Sequence, residues 1–243
     1  MSSTGRIDQK RREARANGLF LSSLLRWSAD QVLDLVFPPR CAGCGRVGES
    51  WCTRCVRETD ILPPALALDH PPSLLAAAAT GTHTGKLRNA VQALKYENAR
   101  SVALPLARRM TRVLARLGWM YDTILPVPIG AARLRERGYN QAGLIAAALA
   151  EETGVAFQPT LIWRTRETPT QVGLTAEQRR QNVAGAFQAH PSQFQDKTVL
   201  LIDDVYTTGA TMGACAESIR AVGAVHVFAL AATAAQSNNF ADV

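Results

Sequence analysis

The stretch Lys197–Thr211, KTVLLIDDVYTTGAT, constrains this chain more than any other. Val199–Ile202 is a short apolar run with β-branched ends, the pattern of a strand buried on both faces. Asp203 and Asp204 follow at its end, then Thr207-Thr208-Gly209-Ala210-Thr211. Beyond them Met212, Cys215, Ile219 and Val222 recur at helical spacings of three and four. The predicted order is strand, acidic pair, Thr/Gly turn, helix. Such a turn exposes backbone N–H groups at a helix N-terminus beside threonine hydroxyls, which suits a phosphate. The carboxylates have another use: their oxygens accept from the two hydroxyls of a ribose, or from water on Mg²⁺. Phosphate at one end and a diol beside it describe a ribose 5-phosphate. The plainer alternative is a strand-turn-helix unit whose threonine is only a helix cap. A Walker loop is excluded, because no Gly-Lys-Ser/Thr follows the glycine.

Apolar run, acid pair and Thr-Thr-Gly-x-Thr together resemble the phosphoribosyl-pyrophosphate (PRPP) signature of type I phosphoribosyltransferases. The resemblance implies an α/β fold, a parallel sheet flanked by helices. It makes Asp203 and Asp204 the catalytic pair that holds the ribose. It makes Thr207, Thr208, Gly209, Ala210 and Thr211 the 5-phosphate loop, with Mg²⁺ bound alongside PRPP.

At 243 residues the chain has room for a full α/β core and a small appended module. The module is marked by Cys41-Ala-Gly-Cys44 and Cys52-Thr-Arg-Cys55, seven residues apart. Two such pairs supply four thiolates, the ligand set of a tetrahedral zinc site. Gly43 and Gly45 suit the tight knuckle in which backbone N–H groups turn toward sulfur. Four protein ligands leave no open position, so Zn²⁺ here would be structural. Two disulfides, or an iron–sulfur cluster, are chemically admissible on the same four residues. The fifth cysteine, Cys215, sits beside Met212 and Ile219 and reads as core packing.

Residues 1–18 are polar and basic, and a disordered tail is expected there. Leu21, Leu24, Leu25, Val32, Leu35 and Val36 form an amphipathic stripe stopped by Pro38-Pro39. With the cysteine knuckle this stripe defines a unit over residues 19–60, and residues 61–243 form the phosphoribosyltransferase-like domain. The stripe is broken by Arg26 and Asp30, and no run approaches the roughly 20 apolar residues of a membrane helix, so a cytoplasmic protein without membrane insertion is expected. A net charge of +7 favours anionic partners.

The basic residues are distributed unevenly. Residues 56–80, with paired prolines and an alanine run, read as a seam between module and body. A helix after Gly85 carries Leu87, Val91 and Leu94 on one face and ends at Lys95, a candidate PRPP contact or simply an exposed lysine. The next helix, Val102–Leu117, bears Arg108, Arg109, Arg112 and Arg116, which read as a solvated face. Thr123–Ile129 is a strand ended by Pro126 and Pro128, followed by the loop GAARLRERGYNQ. Arg133 and Arg137 in that loop are candidates for a pyrophosphate, since a guanidinium fork binds two oxygens at once. Pairing with Glu136 and solvent is the alternative. Ligands of open α/β sheets sit beyond the carboxyl ends of the strands, so the acidic and basic loops are expected to face one another across a crevice. Arg164–Asn182 is too polar for core and too long for a turn; it reads as a flap with a short helix, Arg166 and Gln171 reaching the ligand. Ala184–Gln188 and Val225–Ala231 read as the remaining strands and 234–243 as a frayed tail. No role is read for His70, His83, His190 or His226.

Two CxxC pairs, LKY, PVP with RLRERGYNQ, RTRETPTQVGL with RRQN and GAF, and then the acidic signature occur in one order from Cys41 to Gly223. In that order they resemble the ComF family. The resemblance implies a zinc knuckle coupled to a phosphoribosyltransferase-like domain. It implies a role in DNA uptake during natural transformation, in the cytoplasm, with single-stranded DNA and other DNA-uptake proteins as partners, and it allows a homodimer. Two functions follow. One is transfer of a phosphoribosyl group from PRPP to an acceptor. The other is non-enzymatic binding of single strands with PRPP as a sensed ligand, in which Tyr139, Trp163 and Tyr206 near the arginine-rich segments would stack bases.

Overall fold

The computed structural model describes residues 38–60, 66–168 and 175–235. The expected basic tail, the amphipathic stripe, Gln171 and the residues after 235 lie outside the described residues. A helix, α1 (Thr53–Asp60), follows the cysteine knuckle. Then come β1 (Leu66–Ala67), β2 (Ala76–Ala79), α2 (Gly85–Tyr96), a 3₁₀ turn, α3 (Ala103–Leu117) and β3 (Thr123–Pro126). They continue with α4 (Ala131–Arg137), α5 (Gln141–Thr153), β4 (Ala156–Phe157), β5 (Ile162–Arg164) and α6 (Ala176–Val183). The chain closes with β6 (Phe187–Ala189), β7 (Thr198–Tyr206), α7 (Ala210–Arg220) and β8 (His226–Ala234).

The main sheet runs β1-β2-β8-β7-β3-β4. Its five inner pairings begin with an antiparallel edge, β1 on β2, and all the others are parallel. The two long strands are central, in register from Thr198↔His226 to Tyr206↔Ala234. Leu200 and Ile202 of β7 face the layer of α2, α3 and α5, while Val199 and Leu201 face α7, α6 and the separate β5–β6 hairpin. Burial on both faces is why β7 reads as a continuous apolar run rather than an alternating one. The result is the expected α/β architecture of a parallel sheet flanked by helices. No helix among the described residues is long and apolar enough to cross a membrane.

Several local expectations need correction. The alanine run is not a seam: Ala76–Ala79 is β2, paired with Phe228–Ala231 of β8. Alanine is a poor strand former in isolation, but pairing and burial on both faces override that preference. Asp203 and Asp204 lie inside β7 rather than after it, because β8 extends the ladder through Asp203↔Ala231 and Val205↔Thr233. For the same reason β8 runs on to Ala234. The segment after β3 is helix α4, ended by Gly138 with φ 76°. Its run of Ala, Arg, Leu and Glu is good helix material. The strand expected from Ala184 starts only at Phe187, since Ala184 is the C-cap of α6.

The solvated face expected on α3 fails at Arg109, which is 2% exposed. Its guanidinium donates to Thr80 O at 2.6 Å, to Thr59 O at 2.6 Å and to Asp60 Oδ1 at 3.1 Å. The carbonyls at the end of α1 have no partner in their own helix, and Thr80 lies just past β2. One buried guanidinium serves both elements and takes its countercharge from Asp60. The neighbouring Arg112, also on Asp60 at 2.6 Å, is half exposed. The knuckle is thereby stapled to the sheet, and Cys41, Trp51, Cys52 and Cys55 join one apolar cluster with Leu87, Val91 and Leu94 of α2.

Candidate functional site

Two sites stand out, a sulfur cluster and a polar cleft. In the first, the Cys44 and Gly45 amides donate to Cys41 O at 3.3 and 2.7 Å, closing the first knuckle. The Cys52 amide donates to Cys41 Sγ at 3.3 Å, and α1 carries Cys55 inward. All four Sγ atoms lie within 4.8 Å of one another, with Cys44 and Cys52 at 3.7 Å. Zn–S bonds of ~2.3 Å in a tetrahedron require sulfurs about 3.8 Å apart, so the donor set fits a structural zinc ion. Gly43 is required by space: a Cβ there would stand 2.7 Å from Cys55 Sγ. Burial raises the Cys41 thiol, but N–H groups of Cys52, Gly43 and Cys44 outweigh it and bring the group down to about 6. Burial and the neighbouring sulfurs push Cys55 up to about 12. Four thiolates so close need a dication to coexist.

The cleft, about 550 Å³, opens at the carboxyl ends of β7 and β3. Strand alternation separates the acidic pair: Asp203 points to the α7 side and Asp204 to the α2 side. Lys95 at the end of α2 meets Asp204 Oδ1 at 2.8 Å. The Asp204 amide donates to Asp203 Oδ1 at 2.8 Å. Burial, and then the Asp204 charge, raise the Asp203 carboxyl to about 7, against the opposing pull of Lys95 and that amide.

A carboxylic acid held above its unfolded range near 3.8 costs stability as it ionises. The folded state keeps the proton longer, so Asp203 is harmless below about pH 4 and increasingly destabilising up to about pH 7. Asp203→Asn is therefore expected to stabilise the ligand-free protein by on the order of 2 kcal/mol above pH 7, with a gain shrinking toward pH 5. Urea unfolding of both proteins across that range checks it. A difference independent of pH would sink it.

Beyond β7 the chain turns at Gly209, φ 72°, and enters α7, eleven residues long. A Cβ on Gly209 would fall 2.1 Å from Tyr206 Oη, whose hydroxyl donates to Asp69 O at 2.7 Å. Glycine thus combines a left-handed turn with a close approach. Thr207 and Thr211 line the cleft, and the first residue of the helix, Ala210, offers only backbone. Thr208 Oγ1 is buried with no partner among the described residues. An anion at this helix start would supply one.

Arg133 and Arg137 lie one helical turn apart on α4, and both line the cleft. Arg137 donates to Gln141 Oε1 at 3.0 Å and stacks 5.0 Å over Tyr96. Arg164, closing β5, and Arg179, on α6, reach the same space. Burial and then the charge of Arg133 lower the Arg164 guanidinium. Nε of Arg137, Arg164 and Arg179 is buried without an acceptor among the described residues, as is Nε2 of Gln141. The cleft thus offers surplus donors and surplus positive charge, with only Asp203 and Asp204 as carboxylates among its lining residues.

The structure brings together Lys95, Arg133, Arg137, Asp203, Asp204, Thr207 and Thr211. It leaves Arg166 out: that guanidinium donates to Asn182 O at 3.1 Å and Ala184 O at 2.8 Å, closing the end of α6. Arg164 and Arg179 occupy the cleft instead, a distinction that needs the β5–β6 pairing. Sequence reasoning also missed His83, which lines the cleft next to Lys95. Its signal, a histidine between a strand and a helix, shows only once the alanine run is read as β2. Of the proposed stacking trio, Tyr139 and Tyr206 are only 7% and 4% exposed and Trp163 is 40% exposed; Tyr96, outside that trio, is 70% exposed.

Residues 32–66 match the Double zinc ribbon domain family. The DNA utilization protein YhgH of Salmonella typhi is 31% identical over 194 residues, 77% of this chain and 85% of that protein. Competence protein F of Haemophilus influenzae is 30% identical over 194 residues, 75% of this chain and 85% of that protein. Among solved structures, adenine phosphoribosyltransferase from Thermoanaerobacter pseudethanolicus aligns over 71% of this chain and 86% of its own, 16% identical with a TM-score of 0.37. UMP synthase of Leishmania donovani aligns over 59% of this chain with 21% identity and a TM-score of 0.34; the match spans 24% of that longer protein.

Proposed function

Because this chain belongs to the ComF family, with competence protein F and the YhgH DNA utilization proteins, we propose that its cleft binds PRPP with Mg²⁺ in the service of DNA utilization. The observation that carries the reading is one arrangement. Two carboxylates on β7 stand between a glycine–threonine turn that opens a helix and four arginines that form no salt bridge among the described residues. Thr207–Thr211 would hold the 5-phosphate and Asp203 with Asp204 the ribose hydroxyls. Arg133, Arg137, Arg164 and Arg179 would hold the pyrophosphate through paired N–H groups. Mg²⁺, a hard cation suited to these carboxylates and to phosphate oxygens, would neutralise the pyrophosphate when bound. The chain's own contribution is positional and electrostatic. The carboxylates stabilise the positive charge that grows at C1 as pyrophosphate departs, and the arginines stabilise the leaving group. Transfer to an acceptor, and a cytoplasmic setting for it, complete the proposal.

Calorimetric titration of PRPP with Mg²⁺ into the zinc-loaded protein is the test. Micromolar binding is expected, about −8 kcal/mol at 1 μM, and the Asp203→Asn/Asp204→Asn double variant should lose at least a hundredfold of it. Silence from a folded, zinc-loaded wild type would end this reading. A second reading rests on Tyr96, which stands exposed at the cleft rim under Arg137 and could stack a base of single-stranded DNA. In that case strand binding should persist in the double variant and fall steeply with salt.

A further inference from the structure

We propose that His83 is the general base of this cleft, taking the proton from a neutral N–H or O–H acceptor that enters on the β2–β8 side of Asp203 and Asp204; the inference rests on the PRPP reading above. Strand order sets the sides. In the sheet β7 lies between β3 and β8, with β2 beyond β8. Arg133 and Arg137 follow β3, and Arg164 lies close enough to Arg133 for their charges to oppose. The leaving pyrophosphate therefore belongs on the β3 side. Displacement at C1 brings the nucleophile in opposite the leaving group, which is where β8 and β2 end. His83 is the ionisable side chain that follows β2 and lines the cleft there.

Its position is fixed from two directions. The His83 amide donates to Ala234 O at 2.6 Å, at the end of β8. Its Nδ1 lies 2.8 Å from the hydroxyl of Thr233, a fully buried residue. That hydroxyl donates to Asp204 O at 3.3 Å, and a carbonyl can only accept. Assigning the hydroxyl proton to that carbonyl makes Nδ1 the donor to Thr233. The neutral ring then carries its proton on Nδ1 and keeps an unshared pair on Nε2, the form required of a base. The same chain of bonds ties the ring to the backbone of the carboxylate that would hold the ribose.

The surroundings disfavour the charged ring. Burial lowers its proton affinity first, then the charges of Lys95 and Arg88 from α2; Asp204 on β7 opposes them. The cleft's charge indicates the class of acceptor. Five cationic side chains face two carboxylates. A phosphate and a pyrophosphate carry roughly five negative charges, reduced to about three by one Mg²⁺, which matches that surplus. No cation is left for an anionic acceptor. In the reaction the C1–O bond to pyrophosphate breaks with its electron pair going to pyrophosphate. The acceptor's lone pair forms the new C1–N or C1–O bond, its proton moves to His83 Nε2, and the imidazolium returns that proton to solvent.

The test measures pyrophosphate release from PRPP and Mg²⁺ with water, hydroxylamine, adenine and uracil as probes, alongside calorimetric PRPP affinity. Wild type should release pyrophosphate with at least one probe, along a pH profile that rises and levels as His83 loses its proton. His83→Gln should bind PRPP within about threefold of wild type yet release pyrophosphate about a hundredfold more slowly. Added imidazole should restore release in His83→Gly. Three results would each overturn the proposal: wild type that binds PRPP but releases nothing with any probe, an unimpaired His83→Gln, or a slow His83→Gly that imidazole does not rescue. Absence of PRPP binding by wild type would instead remove the underlying reading, and this one with it.

Discussion

Arg109→Met is expected to lower the unfolding free energy by about 3–5 kcal/mol, the scale for removing one partner of a buried ion pair. Methionine retains most of the packing of the aliphatic stem, so the loss reports the guanidinium. Without it Thr80 O and Thr59 O lose their buried donor, each an unsatisfied carbonyl costing about 1–3 kcal/mol. Arg112→Met is the control. It removes a charge from the same Asp60, but its side chain is 51% exposed, and such pairs contribute only ~0–1 kcal/mol. Thermal melts of the two variants should differ by about 10 °C. Equal melting temperatures would show that the knuckle is not held by this staple.

Removing the metal should have the larger effect. Structural zinc sites contribute on the order of 10 kcal/mol to the fold that encloses them. Here the ligands are not confined to a separate bead: Cys41, Cys52 and Cys55 share their apolar cluster with Leu87, Val91 and Leu106 of the main body. Chelation is therefore expected to release one zinc per chain, open residues 38–60 to protease and lower the melting transition of the whole sheet domain. Cys55→Ser should do the same without chelator. A protein that gives four titratable thiols but no zinc, or a visible charge-transfer band, would contradict the assignment. Protease sensitivity confined to the knuckle, with the sheet melting unchanged, would contradict the shared core.

What could be read in the chain followed the strength of local signals. The β7–turn–α7 unit was legible because a doubly buried strand, a glycine turn and a helical stripe each leave their own pattern. The four cysteines were legible because spacing and chemistry coincide. The alanine run and α4 were not. β2 is held by pairing to β8 and by burial, neither of which its own residues advertise. Arginine-rich α4 buries no residue, so no apolar stripe marks it as a helix. Arg109 shows the limit of charge patterning: four arginines on one helix look alike until carbonyls from residues 29 and 50 positions away converge on one of them. The cleft was half visible. The acidic pair, Lys95, Arg133 and Arg137 came from motifs, whereas Arg164, Arg179 and His83 depend on which strands are neighbours.

Helix α2 touches both ends of this molecule. Near its start Lys86 is paired with Glu58 on α1, which carries the zinc ligand Cys55; its last turn places Lys95 on Asp204. The two centres therefore share one rigid beam about 18 Å long. Oxidising the sulfurs or stripping the metal is therefore expected to reach Lys95 and Asp204 through that helix, with no moving part between the two centres.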